Sequence, residues 1–346
     1  MLKKFEEYIP YLLPLLLFFY RGLADTTVCV IVLVFIFQSY KNSNWAWAKV
    51  AWFQYSLLFT LFIVFFNVPF SVNPTNSFYY AIAFLRWPIF ASALIFWIFN
   101  SDVAIKKFLI ALALLVSFII LDLWLQFFLG YDIFGYAKVT ASRLSGPLRD
   151  NAVVGFFVVK YVCILFTSVI VFKKNYSEKT ATFFLIFLSL IGFLTILITG
   201  ERMSLILFLS IIVVALLISL FFSNKKSVFI LTKILLLSLS LYLLGLTYPD
   251  VILRGFVSSI EKIQNLPSSD YGVVYRTAYL AWLENPYLGG GFHQFKAIYP
   301  LYNIDIWKDT VILHPHNHVF SLLSETGIIG LILYYLTVFH IFKLAL

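Results

Sequence analysis

The chain has 346 residues, of which 62% are apolar, 20% are aromatic and only 12% are charged. A soluble domain has about 45–50% apolar and about 25% charged residues, so this composition excludes a water-soluble globular enzyme. The mean hydropathy is +0.95, and the apolar residues occur in runs separated by short charged clusters, which predicts a polytopic all-α integral membrane protein. The formal net charge of +9 does not require a nucleic-acid partner, because most lysines flank apolar runs, where the positive-inside rule explains them.

The apolar runs predict about 10 transmembrane helices. The first two runs are each shorter than the ~20 residues that cross a bilayer core. We interpret them as two short spans rather than one tilted helix interrupted by Arg21, Gly22 and Asp25. The ten runs lie at about 8–20, 24–38, 50–68, 77–99, 107–128, 151–172, 180–198, 204–222, 228–246 and 317–342.

Lysines at alternate span boundaries predict the orientation of the chain. With both termini in the cytoplasm, the lysine-bearing boundaries all face inward; these lysines are Lys41, Lys49, Lys106, Lys107, Lys173, Lys174, Lys179, Lys225, Lys226 and Lys343. The chain then divides into spans one to nine over residues 1–246, one long periplasmic loop over 247–315, and a last span over 316–346. The loop is predicted to contain amphipathic helices at about 251–265 and 272–285.

The arginines follow a different rule from the lysines, because all seven map to the outer side or to the outer half of a span. They are Arg21, Arg86, Arg143, Arg149, Arg202, Arg254 and Arg276. Snorkelling to lipid headgroups explains any single one of them. For the whole set we favour an outward-facing phosphate site, because guanidinium binds phosphate in a bidentate manner and tolerates partial desolvation.

Two of these arginines lie beside predicted helix starts. Arg149 precedes the sixth span, for which Asp150 or Asn151 is the predicted N-cap. Arg202 falls in the first turn of span eight, where a cation opposes the helix dipole, so it needs a partner. An anion bound at that helix end and a local pairing with Glu201 both remain open.

Three of the five histidines, His314, His316 and His318, lie at the mouth of the last span. A Zn²⁺ site is one interpretation, but no cysteine or close aspartate completes a ligand set and Pro315 restricts the geometry. Packing or headgroup contact is a second. We favour acid–base chemistry for at least one histidine, because imidazole can accept a hydroxyl proton at neutral pH. The preceding Gly289–Gly291 segment is interpreted as a hinge and not as a phosphate loop.

Three motifs in the C-terminal half carry a family resemblance. They read Thr199-Gly200-Glu201-Arg202, Arg276-x5-Trp282-x2-Asn285-Pro286-x2-Gly289-x-Gly291, and His314-x-His316-Asn317-x9-Gly327-x2-Gly330. Together they resemble the O-antigen ligase and O-antigen polymerase superfamily of bacterial inner-membrane glycosyltransferases. The resemblance implies a periplasm-facing active site that transfers a glycan from undecaprenyl diphosphate to a sugar hydroxyl without a metal or another cofactor. The acceptor is lipid A–core in a ligase, which we slightly favour, and a second lipid-linked glycan in a polymerase.

Residue by residue, the resemblance implies that His316 is the catalytic residue and that Arg202 and Arg276 bind the donor diphosphate. The outward arginines add Arg149 and Arg86 to that diphosphate site. Supporting roles are predicted for His314, His318, Asn317 and Glu325, with Glu325 either orienting a histidine or pairing with a buried cation such as Lys160. Family members usually continue for one or two further spans, so the end at Leu346 suggests a truncated sequence or a short variant.

A membrane transporter is the alternative from another class. Arg86, Asp122 and Lys160 are intramembrane polar groups of the kind that line substrate paths. Against a transporter, the sequence has no internal repeat and no paired broken segments.

Overall fold

The computed structural model describes residues 2–172, 177–222, 249, 260–261, 264–266, 269–302 and 314–343. These residues form helices and connecting loops, with two isolated bridges joining Tyr131 to Ala137 and Thr140 to Arg143. Within them, seven helical segments are long and apolar enough to cross a membrane, by length and composition. They are Arg21–Lys41, Ala51–Phe70, Pro74–Ile98, Asp102–Leu129, Val154–Val171, Glu178–Thr199 and His318–Lys343. The predicted all-α membrane fold is confirmed.

The first two apolar runs form separate helices, α1 (Leu2–Phe18) and α2 (Arg21–Lys41), which end and begin on either side of Phe19 and Tyr20. The eighth run forms the helix Arg202–Phe222. The ninth run, 228–246, lies outside the described residues, as does most of the predicted amphipathic helix at 251–265. The second amphipathic helix, predicted at about 272–285, is present as Asp270–Glu284 and ends before Asn285 and Pro286.

The chain divides into two compact units. Unit 1 comprises Met1–Arg21 and Ser101–Ile263, and unit 2 comprises Gly22–Asn100 and Gln264–Leu346. The helices of unit 1 are α1, α6 (Asp102–Leu129), α7 (Val154–Val171), α8 (Glu178–Ile198) and α9 (Arg202–Phe222).

The core of unit 1 lies where α6, α7 and α8 meet. Leu123, Val154, Phe193 and Ile196 are all buried there. The segment after α6 folds back onto the end of that helix through the buried amide of Gln126. Its Oε1 accepts the Ser145 and Gly146 N–H groups at 3.1 and 2.9 Å, and its Nε2 donates to the Tyr136 carbonyl at 3.1 Å.

Unit 2 contains α2, α3, α4, α5, α10, α11 and α12. Here α3 is Ala51–Phe62, α4 is Pro74–Phe84, α5 is Arg86–Ala93, α10 is Asp270–Glu284, α11 is Phe295–Ile298 and α12 is His318–Lys343. A π-helical turn, Ile63–Asn67, extends α3, and another, Leu94–Ile98, extends α5.

The core of unit 2 is built around α12. Phe59 and Phe62 of α3 pack in one cluster with Leu322 of α12. Val274 and Ala278 of α10 form a second cluster, against which Phe320 of α12 packs. The backbone of α12 is broken at Gly327, whose φ of 64° and ψ of −171° are not helical. The sequence predicted one uninterrupted span there, and the reason for the break lies in the segment that follows α10.

Candidate functional site

The histidine motif forms a turn in front of α12, His314–Asn317, here called the histidine turn. Asn317 is the N-cap of the helix, because its Oδ1 accepts the N–H groups of Val319 and Phe320 at 3.0 and 3.1 Å. His316 has a left-handed backbone with φ of 55°, and its N–H donates to Nδ1 of His314 at 3.2 Å. The imidazole of His316 is thereby held by its own backbone conformation.

His316 has the properties of a proton acceptor. Its ring lies 4.2 Å from the ring of His314 and edge-on to Tyr271 of α10 at 5.8 Å between centroids. Partial removal from water, and to a smaller extent His314, lower the pKa of His316 below its ordinary value. The exposed imidazole is therefore neutral at pH 7, as a general base must be.

His318 does not join the other two histidines. Its ring packs against that of Tyr334, which lies in the other half of α12 beyond the break at Gly327, at 4.7 Å between centroids. Among the described residues, no group of three His, Cys, Asp or Glu side chains is arranged to hold a metal ion.

One face of α10 is aromatic. Tyr275 stacks on Phe320 of α12 at 5.3 Å, and Tyr279 and Trp282 contact each other at 5.8 Å. Arg276 is exposed on the neighbouring side of the helix. Within the described part of the chain it has no hydrogen bond or ion pair, and no contact joins it to the histidine turn. Its guanidinium is free to bind an anion.

The predicted hinge at Gly289–Gly291, here called the glycine turn, is instead a tight backbone contact. The N–H groups of Gly290 and Gly291 donate to the carbonyl oxygens of Ser324 and Glu325 in α12 at 2.8 and 2.9 Å. A Cβ on Gly289 would lie 2.5 Å from the backbone of Glu325 and Thr326. The hinge interpretation is wrong, because these glycines allow two backbones to touch and do not supply mobility.

Glu325 lies inside this contact. Its buried carboxylate accepts the N–H of Phe295, the first residue of α11, at 3.0 Å and the hydroxyl of Ser321 at 3.1 Å. The same carboxylate also accepts the backbone N–H of His293, so Glu325 orients the start of α11. Lys160 belongs to unit 1, where its Nζ lies on the exposed side of α7 over the ring of Phe157.

Asn67 is a buried member of this contact that the sequence did not reveal. It ends the π-helical turn after α3 and is completely buried. Its Nδ2 donates to the carbonyls of Leu288 and Glu325, and its Oδ1 accepts the Phe292 N–H at 2.8 Å. The available signal was an amide within an apolar run, since such a group is costly in a membrane unless its hydrogen bonds are satisfied.

In unit 1, the Thr199–Arg202 motif forms the turn between α8 and α9. Gly200 has φ of 68°, as expected for a helix end. Glu201 is buried, and its carboxylate accepts the Gly155 N–H at 2.7 Å and the Ser204 hydroxyl at 2.8 Å. Burial raises the pKa of Glu201, against the lowering effect of these bonds and of Arg143. Arg202, half-buried, is the first residue of α9.

The start of the sixth span differs from the prediction, and Glu201 takes part in the difference. The helix α7 begins at Val154, after Val153, and no side chain of the preceding loop caps it. The prediction of Asp150 or Asn151 is therefore wrong. The acceptor for the start of α7 comes from Glu201, because a carboxylate brought there by the fold meets the free N–H of Gly155.

The remaining predicted arginines have partners of their own. In unit 1, Arg149 is exposed, lies 3.8 Å from Asp150 and stands over the ring of Tyr136 at 5.7 Å. In unit 2, Arg86 donates to Asp25 at 2.8 Å. Arg86 thus already binds a carboxylate where the sequence predicted a diphosphate.

Comparison with known proteins identifies the class. Residues 184–335 match the family model described as O-Antigen ligase, and this range contains all three motifs. No curated protein and no solved structure matches the chain. The family's substrates are a lipid-linked glycan and an acceptor, and its members are membrane glycosyltransferases of the ligase or polymerase type. Seven helices among the described residues are long and apolar enough to span a membrane, so the chain is a multi-pass membrane protein that carries a region similar to the O-antigen ligase family over residues 184–335.

Proposed function

We propose that the protein moves a glycan from undecaprenyl diphosphate onto a sugar hydroxyl of lipid A–core, as an O-antigen ligase. The observation that carries this proposal is the exposed, neutral imidazole of His316, held in a left-handed turn between His314 and Tyr271. A transferase that activates a hydroxyl needs such a base.

The reaction balances with these groups. The acceptor oxygen attacks the anomeric carbon of the donor sugar, and the bond from that carbon to the diphosphate oxygen breaks. The hydroxyl proton passes to a ring nitrogen of His316. The leaving undecaprenyl diphosphate keeps the electron pair, and positive charge placed beside it lowers the barrier.

Arg276 is the group that we assign to the leaving diphosphate in unit 2. It is exposed and lacks a polar partner among the described residues, so an arriving diphosphate displaces no ion pair. Arg202 in unit 1 is assigned the same role from its motif. Arg149 and Arg86 are assigned more peripheral diphosphate contacts, and Arg86 must exchange its bond with Asp25 to make one. His314, Asn317 and His318 support the histidine turn and the start of α12.

The proposed location is the bacterial inner membrane, with the histidine turn and α10 facing the periplasm. Single cysteines placed at Lys106 and at Arg276, in a protein lacking Cys29 and Cys163, report the orientation. An impermeant thiol reagent added to whole cells is expected to label position 276 and not position 106. The reverse pattern would place the site on the cytoplasmic side and refute the proposed periplasmic location.

A reconstituted assay tests the activity itself. Purified protein is mixed with an undecaprenyl-diphosphate-linked glycan and either lipid A–core or more of the lipid-linked glycan. Glycosylated lipid A–core is the expected product. Glycan elongation on the lipid carrier would identify a polymerase instead, and no product with either acceptor would refute the transferase.

The same assay tests the need for a metal. The proposed base and arginines are protein side chains, so transfer is expected to continue in the presence of EDTA. Activity that EDTA removes and Zn²⁺ restores would replace the base mechanism with a metal site at the histidine turn.

A further inference from the structure

The break in α12 rearranges its backbone hydrogen bonds. In an unbroken helix the Ile328 N–H would donate to the Ser324 carbonyl. Here it donates to the Pro286 carbonyl at 2.9 Å, and Ser324 accepts from Gly290 instead. A helix interrupted at membrane depth is tolerated only where neighbouring groups satisfy the freed backbone. Residues 286–291 are those neighbours.

The side-chain amide of Asn67 also bonds both to α12 and to the segment that follows α10. Its two N–H donors bond to the carbonyls of Leu288 and Glu325, and its oxygen accepts the N–H of Phe292. Leu288 and Phe292 flank the glycine turn, and Glu325 lies in the half of α12 that starts at the histidine turn. Asn67 and Glu325 are 258 residues apart in the chain, and Asn67 precedes the range matched by the family model.

The two segments that Asn67 joins are the ones that carry the proposed chemistry. Residues 285–292 continue directly from α10, which bears Tyr271 and Arg276. Residues 318–326 continue directly from His316. The side chain of Asn67 is too far along both segments to reach a substrate at His316, two helical turns away from Glu325, so it acts through the backbone.

We propose that Asn67 is a positioning residue of the transfer reaction, which holds the histidine-bearing half of α12 in register with α10. This inference rests on the function proposed above. A displacement of about 1 Å at a reacting group can cost up to ~10²-fold in rate. Loss of the amide contacts is therefore expected to lower kcat while leaving the binding of the donor largely intact.

The test uses Asn67→Asp, which preserves size and the acceptor for Phe292 but replaces the two N–H donors by a second oxygen. Asn76→Asp on α4 is the matched control, because Asn76 makes one long bond of 3.5 Å to Gln294. Both variants are purified as full chains, and kcat and KM are measured per folded molecule, from the monodisperse fraction. For Asn67→Asp we expect kcat to fall between about tenfold and 10²-fold with KM for the donor within about twofold, and for Asn76→Asp no change.

A second readout does not depend on activity. Cysteines at positions 275 and 320, whose native rings stack at 5.3 Å, are cross-linked with a short bifunctional thiol reagent in a protein lacking Cys29 and Cys163. Adding Asn67→Asp is expected to slow this cross-linking, and adding Asn76→Asp is not.

The outcomes separate the two proposals. Wild-type kcat per folded molecule, or cross-linking at the unaltered rate, overturns the role of Asn67. If the wild-type protein itself transfers no glycan, the proposed function fails and the assignment of Asn67 to the reaction fails with it. Slowed cross-linking would then still show that Asn67 holds α10 and α12 in register.

Discussion

Two buried glutamates, one in each unit, each accept a backbone N–H at the start of another helix, but their surroundings differ. Glu201 accepts the Gly155 N–H at the start of α7, and Glu325 accepts the Phe295 N–H at the start of α11. Each also accepts a serine hydroxyl from its own neighbourhood. A carboxylate at a helix N-terminus is stabilised by the free N–H groups and by the helix dipole, so each glutamate ties a motif to the start of another helix.

The difference lies in what surrounds each carboxylate. In unit 1 the motif is a short turn, and Arg202 begins α9 immediately after Glu201. In unit 2 the carboxylate lies in a broken helix that is also held by the glycine turn and by the amide of Asn67. The contact in unit 1 thus centres on the carboxylate of Glu201, whereas the contact in unit 2 combines the carboxylate of Glu325 with backbone and amide hydrogen bonds.

The largest expected effect is in unit 2, at the histidine turn. His316→Ala removes the proposed base and should lower the rate of glycan transfer by about 10²–10⁴-fold, measured with purified protein and lipid-linked donor. His340→Gln, near the far end of α12 where the native ring stacks on Tyr55, is the control and should retain activity. Near-normal transfer by His316→Ala would show that His316 is not the base of the reaction.

The pH dependence of wild-type transfer sharpens this assignment. A base is active when it is unprotonated, and the pKa of His316 is lowered. The acidic limb of kcat/KM should therefore lie below the ordinary histidine value. A limb above that value contradicts the surroundings described for His316.

One arginine variant in each unit allows the proposed diphosphate contacts of the two units to be compared. Lysine keeps the charge but loses the bidentate geometry, so Arg276→Lys and Arg202→Lys should each lower transfer by about tenfold or more, which corresponds to the ~1.5 kcal/mol of one hydrogen bond to a charged group. Protein level in the membrane should stay close to that of the wild type. Full activity in only one of the two variants would restrict the diphosphate contact to the other unit.

Substitutions at two glycines test whether the contact at Gly327 in unit 2 is tight, with Gly130 in unit 1 as the uncrowded comparison. Gly327 and Gly130 both have positive φ, but a Cβ on Gly327 would collide with the Tyr287 backbone, whereas nothing lies within 4 Å of one on Gly130. Gly130→Ala should cost only the left-handed strain of about 1–2 kcal/mol. Gly327→Ala should cost clearly more, because backbone must also move. Thermal unfolding of the two purified variants measures this, and equal losses would contradict the contact.

The smallest expected effect concerns Glu201. Its pKa is raised by burial, so the folded state binds its proton more tightly than the unfolded state, and the stability it contributes falls as pH rises through and above the ordinary carboxyl range. Glu201→Gln removes this titration, so the melting temperature of the variant, relative to that of the wild type, should increase with pH. A constant difference between wild type and Glu201→Gln would show that Glu201 titrates normally.

Local sequence determined much of this protein. The apolar runs predicted membrane-spanning helices because only helices satisfy their own backbone in lipid. The end of α10 before Pro286 and the positive φ of Gly200 followed from local backbone chemistry. The motif residues of the histidine turn were found because their chemistry and order are visible in the chain itself.

Tertiary structure alone decided how those motifs are held. The apolar residues after Gly327 continue a helical pattern, so nothing local predicts the break, which exists because the glycine turn supplies replacement donors for the carbonyls of α12. Likewise, nothing near Asn67 or Glu201 in sequence reveals that they bond to Leu288 and Gly155, 221 and 46 residues away. Hydrogen-bond partners of buried polar groups are chosen by which backbones the fold brings together, and spacing along the chain carries no information about that choice.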